Sequence, residues 1–286
     1  MKFFVLEDKQ NNIIINNRMI KKIKTKFYKN TIFLSFYIII LIISNISKSN
    51  FQQINESLIA GSYIKMKIPQ GTHLILANNQ YLDWGEFKFN IEYTKPNEIY
   101  INGIKQKTIK NKYNFNETIN TVILIWNNTI TDCKCMFYNC FDITEIDLSH
   151  FDTSQITDMI GMFHCCHSLN YLNLSNINTS QVTNMRGLFY HCSSLTFLDL
   201  SYFDTSKVTN TREMFCNSFS LYSLNLANFN TSQVVEMLKM FSNCTKLIYI
   251  NLENAELKKL DSSVLNQKSV FTQTSDSLVI CSKDNK

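Results

Sequence analysis

Between residues 143 and 252 the chain repeats one hydrophobic pattern. Leu148, Leu174, Leu200, Leu226 and Leu252 fall in register at a constant 26-residue period, as do Phe163, Phe189, Phe215 and Phe241. Cys140, Cys166, Cys192 and Cys244 keep the same register. A fixed period between about 20 and 50 residues marks a solenoid, propeller or array. Each unit carries two shorter periods. Leu172 and Leu174 alternate with Tyr171, Asn173 and Ser175, which predicts a short strand with one buried face. Val182, Met185, Leu188, Phe189 and Cys192 follow at spacings of 3, 3, 1 and 3, which predicts one face of a short helix. Thr183 or Ser180 is placed to cap its start.

One such unit has large apolar side chains and no partner to cover them, so the units must stack. The predicted fold class is an α/β solenoid, a stack of strand, turn and short helix with a parallel sheet. LxxLxL, as in Leu169, Leu172 and Leu174, is the spacing of leucine-rich repeats. The pairs Thr153-Ser154, Thr179-Ser180, Thr205-Ser206 and Thr231-Ser232 read as turn chemistry and capping. The repeats are assigned to 119–252, including a compressed first unit, "VILIWNNTITDCKCMFYNC". Residues 253–286 lose the period and are expected to cap the last open face. Segments such as "GSYIKMKI" and "EIYINGIKQKTI" predict short strands, hence a small β-rich domain over 51–118.

Charge is uneven along the chain. Residues 1–50 hold nine Lys or Arg and two Asp or Glu, leaving 19 basic and 21 acidic groups for the remaining 236. Basicity confined to one end is not the striped footprint of a nucleic-acid binder, and no nucleic-acid partner is expected. The basic leader, 1–30, precedes the apolar run "TIFLSFYIIILIISNIS", 31–47. That order is the order of a secretory signal or signal anchor. The positive-inside rule keeps Arg18, Lys21, Lys22, Lys24, Lys26 and Lys29 inside and sends the rest across the membrane. Both a cleaved signal and a retained membrane helix fit, giving a secreted protein or a single-pass surface protein.

Candidate chemistry is sparse. No glycine-rich phosphate loop occurs among the 6 glycines. "HCCH", His164 to His167, has metal-binding residue types, but four adjacent residues cannot all reach one ion, and zinc sites need spaced ligand pairs. Cys133 and Cys135 are too close for an ordinary knuckle. Neither a metal nor another cofactor is expected. Of the nine cysteines, the ladder of Cys140, Cys166, Cys192 and Cys244 reads as buried thiols. Cys133, Cys135, Cys165, Cys216 and Cys281 are the disulfide candidates of an exported chain. The five histidines, His73, His150, His164, His167 and His191, form no recognisable catalytic frame, so no enzyme is expected. N-glycosylation sequons stand at Asn55, Asn116, Asn127, Asn173, Asn178, Asn230 and Asn243. Strand alternation points Glu145 and Asp147, Tyr171 and Asn173, Phe197 and Asp199, Asn225, and Tyr249 and Asn251 outward. Solvent-facing aromatics make that row the candidate binding face. Asp and Asn stacked in register also suit a passive ladder whose members satisfy one another.

The motif L(D/N)LS-F(D/N)TS(Q/K)VT-M-MF-C, repeated from about Ile143 to Leu252, resembles the BspA-like leucine-rich-repeat surface proteins. The resemblance implies a surface-exposed or secreted binding protein, often linked to adhesion. The expected function is non-catalytic binding of a protein or glycan through the strand face. The alternative is a structural surface coat whose repeats pack on one another without a discrete ligand.

Overall fold

Alternating apolar residues in 62–74 and 112–126 form the two longest strands, β1 (Ser62–Leu74) and β6 (Lys112–Trp126). They pair antiparallel from Ser62↔Trp126 to Leu74↔Lys112, with a register shift between Pro69 and Gly71. This computed structural model describes residues 59, 61–78, 82–83, 88–89, 95–253 and 270–282. The basic leader 1–30 and the apolar run 31–47 lie outside the described residues. Among the described residues no helix is long and apolar enough to cross a membrane.

Four short strands lie between them. β2 (Leu82–Asp83) and β3 (Lys88–Phe89) pair with each other as a separate two-stranded sheet, and β4 (Glu98–Ile101) and β5 (Ile104–Lys105) extend the sheet of β1 and β6. Asn102 and Gly103 both take positive φ, 48° and 81°, in the two-residue turn joining β4 to β5, the conformation such tight hairpins favour. The repeats then supply β7 (Glu145–Asp147), β8 (Tyr171–Asn173), β9 (Phe197–Asp199), β10 (Ser223–Asn225), β11 (Tyr249–Leu252) and β12 (Val279–Ser282). One sheet runs β5-β4-β6-β1-β7-β8 and another β12-β11-β10-β9. The β-rich segment is therefore continuous with the solenoid: β1 pairs antiparallel with β7, the first repeat strand, at Lys65↔Asp147. β6 runs through residue 118 and takes up the apolar start of the compressed first unit.

The repeats form a parallel β-solenoid of stacked coils. Pairing keeps the period read from the sequence, as Leu198 with Leu224 and Leu224 with Ile250. The C-terminal segment adds one more rung. β12 pairs parallel with β11 at Tyr249↔Val279, so this last coil is four residues longer than the others. One apolar core runs from Ile64 to Val270. In it Phe137, Phe163, Phe189, Phe215, Phe241 and Phe271 form a column of near-parallel rings with centroids 5.0–5.8 Å apart.

The short helices expected at Val182–Cys192 and its sister segments are not formed, so the α part of the expected α/β fold is corrected to β-solenoid. The reason lies in the backbone. Two residues per coil, four apart, take left-handed conformations: Gly161 and Cys165, Gly187 and His191, Glu213 and Asn217, Lys239 and Asn243. Left-handed residues end a right-handed helix. They also turn alternate N–H groups out of the coil. Gly161, Phe163 and Cys165 donate to Arg186, Leu188 and Tyr190 of the next coil, whereas Met162, His164 and Cys166 close turns within their own. Neighbouring coils thus satisfy half of the donors a helix would have bonded internally. The apolar spacing of 3, 3, 1 and 3 is the same in both structures. Successive turns return the chain to the core about as often as a helix does.

Candidate functional site

The strand face is built of two in-register rows. Glu145 pairs with Tyr171, Phe197 with Ser223, Ser223 with Tyr249, and Tyr249 with Val279. Two residues on, Asp147 pairs with Asn173, Asp199 with Asn225, Asn225 with Asn251, and Asn251 with Cys281. The first row is aromatic and open to solvent: Tyr171 is 53% exposed, Phe197 57% and Tyr249 39%. Burial of the alternate residues, such as Leu198, Leu224 and Ile250, forces this orientation, because a strand's side chains point to opposite faces. Lys67 of β1 closes one end of the row by an ion pair with Glu145 at 2.6 Å.

The second row is occupied by turn chemistry. A side-chain oxygen of Asp147, Asn173, Asp199, Asn225 and Asn251 accepts the N–H two residues on, from Ser149, Ser175, Ser201, Ala227 and Glu253. Such bonds turn the chain where the strand ends. Amides also bridge coils, Asn173 to Asp147 at 2.9 Å and Asn251 to Asn225 at 3.1 Å. The same device recurs at a second corner, where Asp152, Asn178, Asp204 and Asn230 accept from Ser154, Ser180, Ser206 and Ser232. Asp and Asn alternate freely at these positions because either supplies the oxygen. Of the nine residues of the expected binding face, the five Asx are engaged in these turn bonds, and Tyr171, Phe197 and Tyr249 are the exposed aromatics, with Glu145 in the same row.

The family model described as "Mycoplasma protein of unknown function, DUF285" matches residues 106–221, 131–255 and 189–277, overlapping segments that together run from 106 to 277. The chain belongs to this family. No curated protein matches it, and no solved structure does. The match covers the DUF285 coils, ends just before β12, and fits a repeat protein of this spacing.

Two exposed aromatics of the DUF285 coils escaped the strand rule. Tyr202 is 72% exposed and Tyr222 55%; they flank β9 and β10 rather than sit in them. Their signal in the sequence is departure from the repeat: Asn176 and Asn228, the sister residues of Tyr202, instead bridge to the Ser149 and Ser201 carbonyls at 2.8 Å.

The HCCH segment does not converge on one point. Cys166 faces the core and donates to the Phe137 carbonyl at 3.3 Å. Cys192 and Cys244 donate likewise to Phe163 and Phe215, and Ser218 to Phe189 at 2.8 Å. Serine thus replaces cysteine in that column because the position needs a small donor. His164 is stacked between Tyr138 and Tyr190 at 4.7 and 4.4 Å, and burial holds its imidazole down to about 3. Cys165 and His167 face outward, where His191 of the next coil joins them; the ligand atoms of these three lie within 4.8 Å of one another. All nine cysteines carry free thiols, with Cys133 and Cys135 buried and Cys281 exposed.

The other histidines are separately engaged. His73 pairs with Asp142 at 2.8 Å. His150 stacks on Tyr63 at 4.6 Å and lies 3.0 Å from Ser149 Oγ, beside a shallow cavity of about 350 Å³ lined by Trp126, Asn127, His150 and Asp152. Among the described residues no carboxylate orients the His150 ring. Of the sequons, Asn55 lies outside the described residues. Asn116, Asn127 and Asn178 are exposed, whereas Asn173, Asn230 and Asn243 are half-buried. The Asn243 amide donates to Asn217 at 2.7 Å, so a glycan there would attach to the nitrogen that makes an inter-coil bond.

Proposed function

We propose that the chain is a non-catalytic repeat protein, of the BspA-like kind its motif resembles, that binds a protein or glycan through the strand face. The observation that carries this reading is the row Tyr171, Phe197 and Tyr249, three aromatics held in solvent by strands whose other faces pack on the core. Aromatic side chains in solvent supply anchor points for a partner. A flat row of them also suits the apolar faces of sugar rings. The Lys-rich leader and apolar run support display at the cell surface or secretion, with the solenoid outside and 31–47 as signal or membrane anchor.

A second reading, a self-packing surface coat, is favoured by the end of the solenoid. β12 is the last strand of its sheet, and Val279 and Ile280 on it are exposed. An edge strand with apolar residues invites pairing with another copy.

The test uses full-length protein, solubilised in detergent, with and without Tyr171→Ala, Phe197→Ala and Tyr249→Ala combined. Binding to immobilised glycans and to intact cells is measured, with particle mass by light scattering. Binding by the wild type that the triple variant loses supports the ligand reading. Equal binding by both proteins refutes it, and ordered assembly without binding favours the coat.

A further inference from the structure

We infer that Cys165, His167 and His191 form a site for a thiophilic divalent cation of the zinc class, clamping two adjacent coils together. Four observations support it. First, the ligand types and count are those of a three-ligand zinc site with a fourth position open to water or a partner's donor. Second, the ligand atoms already lie within 4.8 Å of one another. Tetrahedral zinc with bonds of about 2.0–2.3 Å spaces its ligand atoms about 3.3–3.8 Å apart, so rotations of about an ångström complete the site. Third, His167 Nε2 is buried with no hydrogen-bond partner, a state that costs free energy unless something fills it. Fourth, all three residues break the repeat. The sister positions of Cys165 and His191 hold Asn139, Asn217 and Asn243, and those of His167 hold Phe141, Ser193, Phe219 and Thr245. The two neighbouring coils thus give up asparagine at the same position, one for cysteine and one for histidine.

The backbone fixes the pair. Cys165 and His191 both take left-handed φ, 59° and 57°. Their N–H groups donate to the next coil at 2.8 Å, Cys165 to Tyr190 and His191 to Cys216. They sit one above the other, an inter-strand spacing of about 4.8 Å apart. His167 stacks on Phe141 at 4.8 Å and leans on His191 at 4.4 Å, while Phe219 meets His191 edge-on at 5.5 Å. These rings wall the site with apolar surface. Burial, with His191 beside it, lowers the pKa of His167 and favours the neutral ligand form. Burial also pushes Cys165 up to about 11, so binding releases the thiol proton to solvent as the S–metal bond forms.

The location gives the site a structural consequence. Cys165 and His167 belong to the coil of β8, and His191 to the coil of β9. Among the described residues these are the two successive coils whose strands do not pair: one sheet ends at β8 and the other at β9. The cation therefore joins the coils across the junction where the strand ladder lapses.

The test is Co²⁺ titration of the reduced, chelator-stripped full chain, followed by competition with Zn²⁺. The expected result is one ion per chain, visible bands of tetrahedral Co²⁺ and a near-ultraviolet thiolate charge-transfer band, all displaced by Zn²⁺. Cys165→Asn, His191→Asn and His167→Phe install residues that sister coils already use. Each should abolish the thiolate band or weaken Zn²⁺ binding at least about 100-fold, the upper end of what losing an outer-shell partner costs. Cys281→Ser should leave binding unchanged. No thiolate band in the wild type, or a band that survives Cys165→Asn, overturns the assignment. X-ray absorption of the zinc-loaded wild type tests it without any variant: one sulfur at about 2.3 Å with nitrogens at about 2.0–2.1 Å is expected, and a shell without sulfur overturns it.

Discussion

Replacing Phe189 with leucine should cost more than the same change at Phe137, although both side chains are fully buried, 1% and 0% exposed. Phe189 lies between two rings, Phe163 at 5.5 Å and Phe215 at 5.7 Å, tilted by 2° and 11°. Phe137 begins the column and, among the described residues, stacks on Phe163 alone, at 5.8 Å and 12°. Leucine keeps most of the apolar surface and removes the ring–ring contribution, about 0.5–1.5 kcal/mol per pair beyond area. Phe189→Leu then loses about 1–3 kcal/mol from stacking and Phe137→Leu about half of that. The cost of a poorer shape fit is common to both and largely cancels in the difference, which should be about 0.5–1.5 kcal/mol. Urea unfolding of the full chain reads it as a midpoint shift at constant slope. A Phe189→Leu, Phe215→Leu double variant adds a check. The two residues share one stack that can be lost only once, so the double cost should fall short of the sum of the singles. Equal costs at Phe137 and Phe189, with additive doubles, would refute the view that the column acts through ring stacking rather than buried area.

Two further predictions concern titration. Burial pushes Cys135 and Cys244 up to about 12 and Cys216 to about 11, above the ordinary thiol value of about 8.5. The unfolded chain therefore loses these protons first, and the thiols' contribution to stability, complete below about pH 8.5, should fall as pH rises towards those values. Thiol-reactive dye should label exposed Cys281 in the native chain and the ladder cysteines only on unfolding; fast native labelling of the ladder would contradict their burial. His164 behaves in the opposite sense. Held down to about 3 against about 6.5 when unfolded, it is neutral in the fold over a range where the unfolded chain binds a proton. Stability should drop as pH falls from about 6.5 towards 3. His164→Tyr, which installs the ring found at Tyr138 and Tyr190, should flatten that acid limb in a pH series of melting curves, and an unchanged limb would count against the assignment.

The sequence by itself determined the repeat, its constant register, the strand in each unit and the residues of the core. Leucine, phenylalanine and cysteine columns must coincide if coils stack, so equal spacing along the chain becomes adjacency in space. Solvent exposure of Tyr171, Phe197 and Tyr249 was legible from strand alternation, since the next residue, Leu172, Leu198 or Ile250, packs on the core and its neighbour must point the other way. Helix against turn was not legible. Both place Val182, Met185, Leu188 and Phe189 on one side, and the choice depends on left-handed residues such as Cys165 and His191, whose conformation is stabilised by hydrogen bonds to the next coil. The C-terminal rung was hidden by a coil longer than the rest, which breaks the period without breaking the stack. The role of Asp147 and its sisters also required the fold, because an Asx side chain carries the same letter whether it caps a turn or meets a ligand. The Cys165, His167 and His191 cluster shows the limit most clearly. Spacing within the HCCH segment keeps its four residues from sharing one ion, and only the stacking of one coil on the next sets His191 beside Cys165 and His167.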